Sequence, residues 1–147
     1  MAEAAQIEMS VLIDTDIVIE VLRGRNAGIS AEWLVLADSS EALLVSPVTL
    51  TEVRAGTFER EREAIARFFA PLAYVAIDEQ VGQLAGDYLR RYGKSHGVQI
   101  ADALIAASAV HSKAKLWSRN RKHYPMPELA IYARKSNDLK SSNADEV

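Results

Sequence analysis

The stretch Met9-Ser10-Val11-Leu12-Ile13-Asp14-Thr15-Asp16-Ile17-Val18-Ile19-Glu20-Val21-Leu22 changes its periodicity in the middle, and that change decides the fold. Residues 9–13 are a short, almost unbroken apolar run, the pattern of a strand covered on both faces. From Ile17 to Leu22 the apolar positions take helical spacing, and Gly24 stops them. A buried strand that turns into a helix through an Asp-Thr-Asp corner is the opening unit of an α/β sheet.

Outward from this unit the alternation repeats. Leu34 to Ala37 lie in a second helix, and Ala42 to Val45 form a second buried strand. Ser46-Pro47 starts a helix, with serine as N-cap and proline at the first helical position, which runs to about Gly56. A further helix covers residues 59–70, and Leu72 to Ile77 predict a third strand. Asp78 caps a long amphipathic helix with Val81, Leu84, Ala85, Tyr88 and Leu89 on one face, ending near His96-Gly97. Ile100 to Val110 is apolar on nearly every side and predicts a buried helix. Ala114 to Ser118 predict a fourth strand and Leu129 to Tyr132 a short fifth. The expected architecture is α/β, with three layers: a central parallel sheet of four to five strands and helices on both faces. Residues 9–135 form the expected domain, 1–8 a loose leader and 136–147 a polar, disordered tail.

The length of 147 residues suits one such domain. The absence of cysteine excludes disulfides, thiolate metal sites and cysteine nucleophiles, and fits a reducing, cytoplasmic location. No apolar run approaches the roughly 20 residues of a membrane span. Glu3 and Glu8 stand where a secretory signal would carry positive charge. The net charge of −3 excludes a generically basic nucleic-acid binder, but the charge is unevenly placed. Residues 1–80 hold 14 acids against 6 Lys and Arg, whereas residues 111–140 hold 8 Lys and Arg against Glu128 and Asp138. Carboxylate chemistry beside a phosphate-holding surface is one reading of that asymmetry, and a solvated basic face is the other.

Three carboxylates stand where carboxylates are expensive. Asp14 follows the first strand, at the edge where α/β sheets place their sites, although aspartate at such a turn also serves as a helix N-cap. Asp16 reads as a first-turn acid favoured by the helix dipole. Glu52 falls at about the sixth helical position, too deep to cap. Its neighbours Val48, Thr49, Ala55 and Gly56 offer no within-helix ion pair, which leaves a site residue or a solvent-facing glutamate. Asp102 sits in Ile100-Ala101-Asp102-Ala103-Leu104-Ile105-Ala106, without a partner at helical spacing, as a site residue or an early-helix cap. If the three converge, a divalent cation relieves their repulsion. All-oxygen donors suit Mg²⁺, with Mn²⁺ as substitute, and disfavour zinc. Phosphodiester hydrolysis is the chemistry such a site serves.

Four segments together carry a resemblance: Val11-Leu12-Ile13-Asp14-Thr15-Asp16, Ser46-Pro47-Val48-Thr49-Leu50-Thr51-Glu52, Ile100-Ala101-Asp102-Ala103-Leu104-Ile105-Ala106 and Leu116-Trp117-Ser118-Arg119-Asn120-Arg121-Lys122-His123-Tyr124. In order and spacing the chain resembles a PIN domain of the VapC-type toxins of prokaryotic toxin–antitoxin systems, over residues 9–132. The resemblance implies an Mg²⁺-dependent endoribonuclease, with Asp14, Glu52 and Asp102 as metal-binding acids. Ser118 and Asn120 match the family's Thr/Ser-x-Asn segment, which holds the carboxylates or a metal-bound water. It also implies an RNA substrate, a cognate antitoxin and a homodimer. His123 stands where the family often has a further acid, which implies one well-held Mg²⁺ and a weak second ion. His123 itself reads as a surface residue, His96 and His111 as helix ends. Arg119, Arg121 and Lys122 are the candidate phosphate contacts, with solubility as the alternative role.

Three rivals remain at this point. Asp14-Thr15-Asp16 imitates the opening of a haloacid-dehalogenase-type phosphatase, but Gly86-Asp87 is followed by Arg91 where that chemistry needs a last acid. A phospho-receiver domain would need its aspartate after the third strand, where Asp78 caps a helix. A PIN-like module that binds RNA or protein without cutting is favoured by His123 and opposed by the three acids.

Overall fold

A computed structural model describes residues 9–133. Strand β1 (Ser10–Ile13) leads into α1 (Thr15–Arg23) and α2 (Ala27–Ala37); β2 (Ala42–Val45) leads into α3 (Pro47–Ala55). A 3₁₀ turn (Glu59–Glu61) and α4 (Arg62–Phe69) precede β3 (Ala73–Tyr74). The long α5 (Glu79–His96), α6 (Ile100–His111) and β4 (Lys115–Trp117) follow, with a 3₁₀ turn over Arg121–His123. The expected leader and tail lie outside the described residues.

The four strands are all parallel, in the order β3-β2-β1-β4. Val11, Leu12 and Ile13 of β1 have no solvent exposure, which is why their run is continuously apolar. Successive strand side chains point to opposite faces, and so β1 feeds two cores. Leu12, paired in register with Leu116, faces α5 and α6 through Val81, Tyr88, Ala103 and Ala106. Val11 and Ile13 face the helices from the first half through Ile17, Leu36, Val53 and Phe69. Three layers result.

The element ends follow local chemistry. Ser46 accepts the Val48 N–H at 3.1 Å and Pro47 opens α3, Asn26 accepts the Ile29 N–H at 3.0 Å, and Asp78 accepts the Val81 N–H at 3.0 Å. Gly24 and Gly97 close α1 and α5 in the left-handed region, at φ 67° and 64°.

Two strands are shorter than the sequence predicts. The third, expected over Leu72 to Ile77, is the two-residue sheet edge β3; Val75 donates one more hydrogen bond to the Val45 carbonyl before the chain turns towards Asp78. The fifth reduces to a single parallel bridge between Leu116 and Ile131. Leu116 N–H donates to the Ala130 carbonyl and Tyr132 N–H to the Leu116 carbonyl, each at 2.8 Å. Pro125 and Pro127 delay the return of the chain to the sheet.

The strand order places the site. The chain steps from β1 to β2 to β3 in one direction, then crosses back over the other face to lay β4 on the free side of β1. Beyond the carboxyl ends of β1 and β4 the connections therefore diverge, and such a switch point leaves a crevice open to a ligand.

Candidate active site

Asp14 and Ser118 are the residues that immediately follow β1 and β4, and the switch point brings them together. Asp14 is 5% exposed. Its Oδ1 accepts the Thr15 N–H at 2.8 Å, so it is the N-cap that the sequence allowed. Its Oδ2 does something no cap requires: it accepts the Ser118 hydroxyl at 2.7 Å and the Tyr124 hydroxyl at 2.9 Å. Burial, and next the charge of Asp16, push the Asp14 carboxyl up to about 6, while Ser118, the Thr15 amide and Tyr124 pull it the other way. Burial and the charges of Asp14, Asp102 and Asp16 push Tyr124 far above its ordinary value, so its hydroxyl stays a donor.

A chain of polar contacts runs from Asp14 to Asp102. Ser118 Oγ accepts the Asn120 N–H at 3.0 Å, and the Asn120 side-chain nitrogen lies 2.9 Å from His123 Nδ1. His123 Nδ1 in turn lies 3.5 Å from Asp102 Oδ2. Asp102 caps as well, accepting the Gln99 N–H at 3.0 Å, and its side chain is 21% exposed. Asp14 and Asp102 are thus both caps, and both belong to one cluster of polar contacts.

Glu52 is exposed and reaches the cluster through Thr15, whose hydroxyl donates to Glu52 Oε1 at 2.8 Å. Thr49, one turn before Glu52, has its hydroxyl 2.9 Å from the Thr15 hydroxyl. Because the Thr15 proton is committed to Glu52, Thr49 is the donor of that second bond.

Asp16 is more than the dipole-favoured first-turn acid that the sequence predicts. Its Oδ2 accepts the Arg119 N–H at 3.0 Å, whereas its buried Oδ1 has no hydrogen-bond partner. Burial pushes its carboxyl above the ordinary range. Thr15, Asp16 and Tyr124 are thus site-lining residues beyond those named from the sequence. The signal for Asp16 was its place two residues after Asp14; for Tyr124 it was only membership of the Leu116–Tyr124 segment.

Of the expected phosphate contacts, Arg119 is engaged by Glu20 at 3.2 Å. Arg121 and Lys122 are exposed and make no ion pair among the described residues. His123 is not a free surface histidine: its side chain is 37% exposed and lies against Asp102.

Among the described residues, no three Asp, Glu or His side chains are close enough to enclose a cation unaided. The donors nevertheless fit a hard divalent ion. A carboxylate held above its ordinary range by burial and next by a neighbouring carboxylate, and a buried carboxylate oxygen without a hydrogen-bond partner, are what a cation would relieve. Mg²⁺ takes only one or two protein carboxylates and completes its shell with water and substrate oxygens.

Comparison with known proteins agrees with this arrangement. The PIN domain family model matches residues 11–129. The chain is 36% identical over 122 residues to Ribonuclease VapC19 of Mycobacterium tuberculosis, covering 80% of this chain and 95% of that protein. It is 35% identical over 119 residues to Ribonuclease VapC10 of the same species, covering 80% and 88%. Among solved structures, the FitAcB crystal structure from Neisseria gonorrhoeae matches with a TM-score of 0.63 at 26% identity, covering 84% of this chain and 97% of that one. VapBC2 from Rickettsia felis, bound to a promoter DNA fragment, matches with a TM-score of 0.70 at 20% identity, covering 84% and 98%, a likeness of fold. The match extends from β1 past Tyr124, a range that contains the hydrogen-bonded cluster. With the sheet order, the acids at the switch point and the sequence match in agreement, the chain belongs to the PIN-domain family.

Proposed function

We propose that this protein is a metal-dependent endoribonuclease that hydrolyses RNA phosphodiester bonds, acting as the toxin of a type II toxin–antitoxin pair. The observation that carries the reading is Asp14. A buried carboxylate held by Ser118 and Tyr124 at a sheet switch point is expensive, and a cation-dependent site is the use that repays it. The 36% identity to a VapC ribonuclease supports RNA as substrate. The VapBC complexes among the fold's relatives support a small antitoxin as partner. A homodimer is part of the same reading.

Asp14 and Asp102 would hold Mg²⁺, with Glu52 holding it or orienting its water. The ion supplies charge neutralisation at the scissile phosphate and a more acidic water. The chain's own contribution is positional. The Ser118 and Tyr124 hydroxyls fix Asp14 Oδ2 in one orientation. Thr15 anchors Glu52 Oε1, so that the other oxygen is free to accept a proton from the attacking water. Asn120 holds Ser118 in place through its backbone N–H. Arg121 and Lys122 stand beside this cluster as the side chains that receive RNA phosphates, and Arg119 joins them when Glu20 releases it.

Attack by water leaves a 5′-phosphate and a 3′-hydroxyl. The test is cleavage of a pool of structured cellular RNAs with Mg²⁺ or EDTA, comparing the native chain with Asp102→Asn. The amide oxygen of asparagine still accepts the Gln99 N–H, so the fold is retained. Expected is cation-dependent cutting by the native chain alone. Equal cutting by both, or products ending in a 2′,3′-cyclic phosphate, would contradict the reading. One observation favours a second reading, an RNA- or protein-binding module that does not cut: no three acids or histidines close on a cation among the described residues. RNA binding without cleavage under any divalent cation would select it.

A further inference from the structure

Phe58 has no part in the fold or the site described so far, yet it is held in place. Just after α3, it leaves 68% of its surface to solvent. Its backbone N–H donates to Glu61 Oε2 at 2.7 Å, and the Arg60 guanidinium lies over its ring, 4.9 Å from the centroid. The preceding residue is tied down too, with the Thr57 hydroxyl donating to the Val53 carbonyl at 2.9 Å. An exposed aromatic ring, fixed at its backbone and covered on one face by a guanidinium, offers its second face as a flat apolar platform.

Two cavities meet at that ring. The larger, about 530 Å³, lies between α3 and α4, and the smaller, about 300 Å³, lies between α1 and the end of α3. Thr57 and Phe58 line both, and Glu52 lines the smaller. A groove therefore leads from Glu52 past Phe58 into the larger cavity, which has the size of an ordinary ligand site. Its lining is aromatic as well: the Phe69 and Tyr74 rings are nearly parallel, 7° apart in plane and 6.4 Å between centroids. Around Phe58 the acids are engaged, Glu59 by Arg62 at 3.1 Å and Glu61 by the Phe58 N–H. Arg54, which lines the larger cavity, and Arg60 are left with no ion pair among the described residues.

Aromatic faces beside unpaired guanidinium groups, on a groove continuous with Glu52, match the chemistry of a nucleotide. Every base offers a π face, and every phosphate a negative charge. We propose that the cavity between α3 and α4 receives one splayed-out base of the RNA substrate, stacked on Phe58, with Arg54 and Arg60 holding the phosphates beside it. The inference rests on the proposed function and deepens it by naming the substrate class. A base inside a duplex reaches such a cavity only by unpairing, so the RNA is unpaired near the cut, in a loop, a bulge or a single strand.

The test uses the full chain in EDTA, so that nothing is cut, and follows a short unpaired oligoribonucleotide by fluorescence anisotropy. Phe58→Ala should weaken binding about tenfold. Phe58→Leu should do the same and Phe58→Trp should restore native affinity, because stacking needs a π face and not only apolar bulk. A fully paired RNA of the same sequence should bind native and Phe58→Ala protein alike. With 5-iodouridine in the unpaired strand, irradiation should cross-link the native chain at Phe58 or Tyr74, which mass spectrometry locates. Cation-dependent cutting by a native chain that cross-links at neither ring, or an RNA affinity unmoved by Phe58→Ala, overturns the proposal while the nuclease reading stands. If Phe58→Ala instead changes the self-association of the free chain in sedimentation, with RNA affinity unmoved, the groove belongs to a second copy and the proposal is overturned as well. A native chain that neither binds nor cuts RNA overturns both readings.

Discussion

Asp14 concentrates the conflict between stability and function at the scale of one residue. Its carboxyl sits at about 6 instead of near 3.8, so the folded state holds that proton more tightly than the unfolded chain. For a carboxyl displaced upwards the stability is greatest in acid and falls as pH rises through the interval from about 4 to 6, by at most about 3 kcal/mol from this group. Metal-free protein should therefore lose thermal stability between pH 4 and pH 6.5, and Asp14→Asn should abolish most of that slope. At pH 7.5 in EDTA the variant should melt higher than the native chain, an ordering that differential scanning calorimetry checks. It should also fail to cleave RNA. Tyr124→Phe asks a gentler question at the same atom. Loss of one hydrogen bond to a buried carboxylate should cost about 1–2 kcal/mol in stability and lower cleavage about tenfold, with substrate binding unchanged in gel-shift titrations. At this scale the sequence told half the story. Asp14 and Asp102 were conspicuous because carboxylates are costly beside apolar residues. Asp16 and Tyr124 were not, because a first-turn aspartate and a buried tyrosine are ordinary, and what singles them out is a partner more than a hundred residues away.

The element that carries most responsibility is α3. It brings Glu52 to the site from outside the switch point, and two hydroxyls, Thr49 on the helix and Thr15 at the start of α1, tie it in place. Thr15→Val keeps the shape and removes the tether. Its expected effect is a fall in kcat of about tenfold with less than about 1 kcal/mol lost in stability. Ser46→Ala, which removes the cap, should do the reverse: about 1 kcal/mol of stability lost in urea unfolding, with kcat per folded molecule little changed. Element identity was legible because periodicity and caps are local signals. The lengths of the third and fifth strands were not, since pairing depends on what the sheet edge meets, and an apolar run such as Leu72 to Ile77 packs equally well without a hydrogen-bonded neighbour.

At the scale of the molecule, the acidic first half and basic later segment meet at one crevice, because the fold returns β4 to the side of β1. Acids from β1, α3 and α6 are thus bordered by Arg121 and Lys122 from the turn after β4. Electrostatic binding of RNA through those two side chains implies a defined salt response. Replacing both with alanine should weaken RNA binding uniformly across sequences and reduce the slope of log affinity against log salt by about 1–2. A change of cleavage site without a change of slope would give them a different role. The charge asymmetry was plain in the sequence, but its meaning depended on topology, which composition does not contain.

The same return has a consequence in time. Asp14 finds its two hydroxyl partners 104 and 110 positions later in the chain. A growing polypeptide that has already released β1, α1 and α3 from the ribosome still has no Ser118 or Tyr124 to set Asp14, and no β4 to close the crevice. Contacts of such long sequence separation form late and slowly. On the proposed function, an RNA-cutting centre assembled from positions so far apart would be inert for most of its own synthesis, and the ribosome making it would meet a finished enzyme only after β4 and Tyr124 had emerged.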